Sequence, residues 1–149
     1  MDLNNIVYQI VSELKSIADT KNIELEFAPD KNLKPIYADS YSVAQIAQNL
    51  IDNAVKFTKE GKVRVEIVED PDKVYLIVED TGVGISEEYI PHLFKPFSQE
   101  ETGYSRKFEG NGLGLTLVQK YCELNGAEIK VKSTKDKGSV FTVILKKSS

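Results

Sequence analysis

Two pairs of apolar runs with period two, each closed by a tight turn, constrain this chain more than any other feature. Val63, Val65 and Ile67 alternate with polar residues, as do Val74, Leu76 and Val78, and Asp70-Pro71-Asp72 stands between the two sets. Alternation places every second side chain on one face of a strand, and Asp-Pro-Asp favours a turn, so the pair predicts an antiparallel hairpin. Glu128 to Ser133 and Val140 to Lys146 repeat the arrangement around Lys135-Asp136-Lys137-Gly138. A doubly wound parallel sheet needs a crossover helix between successive strands and does not fit these hairpins.

Elsewhere the period lengthens to that of a helix. Leu3, Ile6, Val7, Ile10, Val11, Leu14, Ile17 and Ala18 share one stripe, with Asp2 placed to cap the first turn. Val43, Ile46, Ala47, Leu50, Ile51 and Ala54 form a second stripe from Ser40 to a stop near Thr58–Gly61, and a third helix is predicted from about Leu113 to Asn125, ending at Gly126. Ile23, Leu25 and Phe27 predict one short strand; Ile36 to Ala38, beyond a Pro29–Pro35 loop, predict another. The order predicts an α+β two-layer domain, a mixed and mostly antiparallel sheet covered on one face by three helices. With 149 residues, the chain suits a single domain spanning 1–149.

Residues 80 to 112 have little periodicity apart from Glu87 to Leu93, which predicts mostly loop around one short helix. A compact domain seldom carries so long a stretch without a use for it, so function is to be sought there. A net charge of −4 and a pI near 5.1 provide no basic field for a nucleic-acid backbone, which disfavours nucleic acid as a partner. A lone cysteine, Cys122, suits a reducing, cytoplasmic compartment and is expected as a buried free thiol. No run approaches the roughly 18 apolar residues of a membrane span, so this domain is expected neither to insert in a membrane nor, being acidic and globular, to self-associate.

Asn49, Asn53 and Lys56 lie four and three apart, on one polar stripe of the second helix. Asn oxygens can complete the shell of a hydrated Mg²⁺, and Lys can meet a phosphate, although a solvated helix face has the same spacing. Asp80-Thr81-Gly82-Val83-Gly84-Ile85 follows a strand directly; an ionised Asp80 would accept from an exocyclic amine such as that of adenine, and an ordinary Asp-Gly turn reads equally well. Gly110, Gly112 and Gly114 precede the last helix, where free N–H groups favour phosphate. Neither G-x-x-x-x-G-K-[ST] nor G-x-G-x-x-G is satisfied, and H-R-D and D-F-G are absent.

In order and spacing, Asn49 to Thr58, Asp80 to Ile85, Phe94-Lys95-Pro96-Phe97 and Gly110 to Leu115 resemble the N box, first glycine box, F box and second glycine box of bacterial sensor histidine kinases. The resemblance covers nearly the whole chain and implies the Bergerat ATP-binding fold with a mobile ATP lid, shared with the 90-kilodalton heat-shock chaperone, mismatch-repair ATPases and type II topoisomerases. It implies ATP and Mg²⁺ as ligands: Asn53 on the metal, Asn49 nearby, and Lys56 on phosphate. Phe57 would lie along the adenine, Asp80 would accept from its amine, and Gly82, Gly84 and Ile85 would shape the pocket. Gly110, Gly112, Leu113 and Gly114 would bring N–H groups to the phosphates, with Leu115 and Thr116 opening the helix behind. Ser98 to Glu109, about 98–111 with its flank, would be the lid, anchored by Phe94 and Phe97, with Phe97 also counted in the nucleotide pocket. Arg106 and Lys107 match basic positions that reach the γ-phosphate, and they join Asn49 and Lys56 as the catalytic set. Asn111 departs from the family's usual Thr but keeps a small hydrogen-bonding side chain.

The implied function is to hold Mg-ATP and donate its γ-phosphate to a histidine on a separate dimerisation domain, which the family places ahead of Asp2, with a response regulator receiver downstream. The only histidine here, His92, lacks the acidic residue and T/N-P of a phosphoacceptor and is expected as a surface or packing residue. Two alternatives share the fold: a free-standing serine kinase of the anti-sigma type, and a nucleotide-gated binding module that transfers no phosphate. The lysines at 130, 132, 135, 137, 146 and 147 are expected to be a solvated strand face. Gly138-Ser139 resembles the family's Gly-Thr before the last strand, near the adenine region.

Overall fold

The first helix, α1 (Leu3–Thr20), starts where Asp2 adopts extended backbone and its carboxylate accepts the Asn5 N–H at 3.2 Å. The computed structural model to which it belongs describes residues 1–95 and 114–147. Most of the apolar stripe read from the sequence turns inward: Leu3, Val7, Ile10, Val11, Leu14 and Ala18 are buried, whereas Ile17, expected in the stripe, is 52% exposed. In α2 (Ser40–Lys56), Asp39 caps the first turn by accepting from both the N–H and the hydroxyl of Ser42, at 2.9 and 2.7 Å. Those bonds, the hydroxyl's first, hold its carboxyl below the ordinary carboxylate range. At the other end Lys21 Nζ donates to the Val55 and Lys56 carbonyls at 2.7 and 3.0 Å, placing a cation where the helix dipole is negative.

Among the described residues five strands form one sheet, in the order β1-β2-β3-β5-β4. They are β1 (Ile23–Ala28), β2 (Gly61–Glu69), β3 (Lys73–Asp80), β4 (Glu128–Thr134) and β5 (Gly138–Lys146). Only β1 and β2 pair in parallel; the remaining neighbours are antiparallel, so the sheet is mixed as the two hairpins require. At the turn between β2 and β3, Asp70 accepts from the N–H groups of Asp72 and Lys73 and from the Tyr75 hydroxyl. One face is dry: Val63, Val65, Ile67, Val74, Leu76, Val78, Val143 and Leu145 are each at most 3% exposed. The third helix, α3 (Gly114–Leu124), packs beside α2, whose other side meets α1. Each fully buried Val, Leu or Ile contributes about 1.5–3 kcal/mol, so this layer of helices on sheet supplies the rigid base for whatever its loops hold.

One expectation needs correction, and another is borne out in a shorter form. Ile36–Ala38 forms no strand: Ile36 instead trades hydrogen bonds with Met1, its N–H donating to the Met1 carbonyl and the N-terminal amine donating back, which ties down the chain start away from the sheet. The short helix over Glu87 to Leu93 contracts to a 3₁₀ turn, Ile90–His92, because Pro91 has no N–H to continue an α-helical ladder. His92 is exposed, as expected, with its Nδ1 3.4 Å from Lys95 Nζ. Cys122 is buried on α3, and that burial pushes its thiol up to about 11.

Candidate functional site

Three segments distant in sequence converge on one cleft at the C-terminal end of α2. Asn53 and Phe57 come from α2 and its cap, Asp80 from the end of β3, Val83 and Gly84 from the loop after it, and Ser139 and Phe141 from β5. Leu50 and Ala54 complete an apolar wall behind them. The cleft is narrow, enclosing about 10 Å³, and is mostly apolar with a few convergent polar groups.

Asp80 closes β3 on the face that carries the buried Val74, Leu76 and Val78. Desolvation raises its pKa from 3.8 to about 6, although the backbone N–H groups of Gly82 and Ser139 pull the other way. The Gly82 bond to Oδ1 measures 2.9 Å. At neutral pH the group is thus a carboxylate in a poorly solvated place, held in a fixed orientation and able only to accept hydrogen bonds.

The glycines beside it are sterically required. A Cβ on Gly82 would strike the Phe57 carbonyl oxygen and the Thr58 hydroxyl, and Gly84, at φ +67, lies against the Thr134 carbonyl. These contacts fasten the loop on two sides, with Val83 N–H donating to the Phe57 carbonyl at 3.2 Å and Asp136 N–H to the Val83 carbonyl at 2.7 Å. Ile85 is fully buried, and its N–H donates to the Ser133 hydroxyl at 2.7 Å.

On α2 the predicted polar stripe separates by depth. Asn53 is 6% exposed and lines the cleft, Asn49 is half-buried with its amide donating to the Gln45 carbonyl at 2.9 Å, and Lys56 is exposed. Lys56 Nζ sits 5.6 Å from the centroid of the Phe57 ring, while the ring itself is buried in the cleft wall. Gly114 and Leu115 are buried at the start of α3, and the Thr116 hydroxyl donates to the Phe94 carbonyl at 2.9 Å. Phe97, Arg106, Lys107, Gly110, Gly112 and Leu113, together with the expected lid over about 98–111, lie outside the described residues.

Sequence reading missed Thr58 and Ser133. Thr58 is wholly buried and its hydroxyl donates to the Ala54 carbonyl at 2.8 Å, closing the helix end beneath the glycine loop. Ser133 had a visible signal, since it interrupts the inward series Ile129 and Val131 on β4 with a hydroxyl.

The sequence matches the family described as histidine kinase-, DNA gyrase B-, and HSP90-like ATPase over residues 38–149. The sensor histidine kinase ZraS of Salmonella typhimurium is 35% identical over 147 residues, covering 97% of this chain and 30% of ZraS. Among solved structures, full-length ShkA in complex with AMPPNP superposes with a TM-score of 0.86 at 27% identity, over 100% of this chain and 31% of that one. The catalytic domain of histidine kinase ThkA gives 0.83 at 25% identity, over 99% of this chain and 94% of that one. The chain spans only 6% to 30% of the length of the curated relatives it matches.

Proposed function

This chain belongs to the histidine kinase-, DNA gyrase B-, and HSP90-like ATPase family, and from that premise we propose that it binds Mg-ATP and donates the γ-phosphate to a histidine on a separate dimerisation domain. The observation that carries the reading is the cleft itself: a desolvated carboxylate, Asp80, at the end of an apolar slot whose other wall presents Asn53 and leads out to Lys56. An adenine amine has donors for that carboxylate, and the Phe57 ring offers an apolar surface to the base.

Charged phosphates would then lie toward Lys56, at the exposed end of α2. Phosphoryl transfer needs mainly positioning and neutralisation of charge, and Lys56 supplies a mobile cation for that purpose. Arg106, Lys107 and the backbone of Gly110, Gly112, Leu113 and Gly114 are assigned to the phosphates by family resemblance. The donor set fits Mg²⁺ arriving with the nucleotide: among the described residues no group of three His, Cys, Asp or Glu forms a cage, while the Asn53 carboxamide, with Asn49 nearby, is a hard neutral oxygen suited to an ion held mainly by water and phosphate. When bound, that ion spreads the charge of the triphosphate.

The partners are proposed on the same footing. The relatives are named as sensor kinases, which points to a dimerisation segment as acceptor and a response regulator beyond it. Among the described residues no helix is long and apolar enough to cross a membrane, and a cytoplasmic position, where ATP is available and Cys122 stays reduced, suits the reading. Calorimetric titration with AMPPNP, with and without Mg²⁺, tests it. Magnesium-enhanced binding that is lost in Asn53→Ala supports the assignment, and absence of binding by folded protein overturns it.

A further inference from the structure

The inward face of the β4–β5 hairpin is apolar at two rungs and polar at the third. Ile129 faces Val143 and Val131 faces Phe141, but Ser133 faces Ser139. Ser139 is only 5% exposed, and buried hydroxyls are costly unless bonded. Both are bonded, and the pattern fixes the direction of each proton. Ser133 Oγ stands 2.7 Å from Ile85 N, 2.9 Å from the Gly138 carbonyl oxygen and 2.7 Å from Ser139 Oγ.

A hydroxyl has one hydrogen and two lone pairs. Ile85 N–H occupies one lone pair of Ser133. The carbonyl can only accept, so it takes the Ser133 hydrogen. All three contacts are bonds together only if Ser139 donates its hydrogen to the remaining lone pair of Ser133. Ser139 is then left with lone pairs alone to offer the cleft it lines. Its register partner on β3 is Asp80, whose carboxylate also only accepts.

We propose that Ser133 is a positioning residue for base selection: by taking the Ser139 proton it leaves the paired Ser139 and Asp80 side chains acceptor-only, so that the site favours a 6-amino purine over a 6-oxo purine. The inference rests on the nucleotide reading above and deepens it. A 6-amino group brings donors to two acceptors, whereas a 6-oxo group sets a carbonyl lone pair against them, and buried mismatches of this kind are what polar sites discriminate by. Ser133 itself need not touch the nucleotide. Its second bond, to Ile85 N–H, also ties the glycine loop to the hairpin, an effect that bears on any purine equally.

That distinction provides the test. Dissociation constants for ADP and IDP, which differ at the 6-position and its neighbouring ring proton, are measured by calorimetry for the wild-type chain, Ser133→Ala and Ser133→Thr. Wild type is expected to prefer ADP. Ser133→Ala, which frees the Ser139 proton to turn toward a 6-oxo group, is expected to lower the ADP-to-IDP preference by about fivefold, the scale of one neutral hydrogen bond. Ser133→Thr, which keeps the hydroxyl, restores it. Should Ser133→Ala fail to fold, Ser133→Cys keeps the shape with a much weaker donor and acceptor and is expected to shift the preference in the same direction. Equal weakening of both nucleotides, with the preference unchanged, would overturn the proposal and leave Ser133 a purely structural tie. A folded wild type that binds neither nucleotide would overturn the nucleotide reading and this inference with it.

Discussion

Asp80→Asn should stabilise the fold while removing the binding function. Burial raises the Asp80 pKa from 3.8 to about 6. Because its folded value lies above its unfolded value, the folded chain holds this proton more tightly. The associated stability is complete below pH 3.8 and is lost as pH rises through about 6. The loss is the pKa rise of roughly 2 at 1.36 kcal/mol each, or about 3 kcal/mol above pH 6. Asparagine carries no charge and keeps an oxygen for the Gly82 N–H, but serves the Ser139 N–H less well. Subtracting about 1 kcal/mol for that bond leaves a net gain of about 2 kcal/mol. For a chain of this size that is a rise of about 4–8 °C in melting temperature. Thermal unfolding of both proteins from pH 4 to pH 8 checks the sign: the gap should be smallest at pH 4, widen to about pH 6 and then stay level. A variant less stable than wild type at pH 7.5, or a gap that ignores pH, would refute the reasoning.

The same titration governs binding. ADP affinity is expected to be level above about pH 6.5 and to fall up to about tenfold per pH unit below 6, as Asp80 becomes a donor facing a donor; calorimetry across that range checks it. Gly84→Ala places a Cβ against the Thr134 carbonyl at a residue with φ +67, so urea unfolding should show a loss of about 1–3 kcal/mol. Cys122, 2% exposed and with its thiol raised to about 11, should resist dithionitrobenzoate at pH 8 until the chain is unfolded.

Periodicity was sufficient for the architecture because the apolar stripes of α1, α2 and the two hairpins are long and most of each lies on the buried face, although Ile17 of α1 is 52% exposed. It failed at Ile36–Ala38, where three residues are too few to distinguish a strand from a segment held by the chain terminus. At Glu87 to Leu93 the one short helix is present, as the 3₁₀ turn Ile90–His92 held short by Pro91. Within the site, Asn53, Asp80, Gly82 and Gly84 were legible because polar or glycine residues stood in an ordered series of motifs. Ser133 was only partly legible: its hydroxyl interrupts the inward series of β4, but its role depends on a cross-strand partner and on the Ile85 N–H, 48 positions away in sequence. Such contacts arise from register, which no local pattern states.

Transfer of phosphate is the claim on which the account turns, and labelled γ-phosphate follows it most directly. The purified chain would be incubated with Mg²⁺, γ-labelled ATP and a dimerisation segment carrying a phosphoacceptor histidine. The account predicts acid-labile label on that segment, dependent on Mg²⁺ and abolished in Asn53→Ala, with little phosphate released when the segment is omitted. An unlabelled segment in the presence of nucleotide-bound chain, or rapid phosphate release by the chain alone, would contradict it.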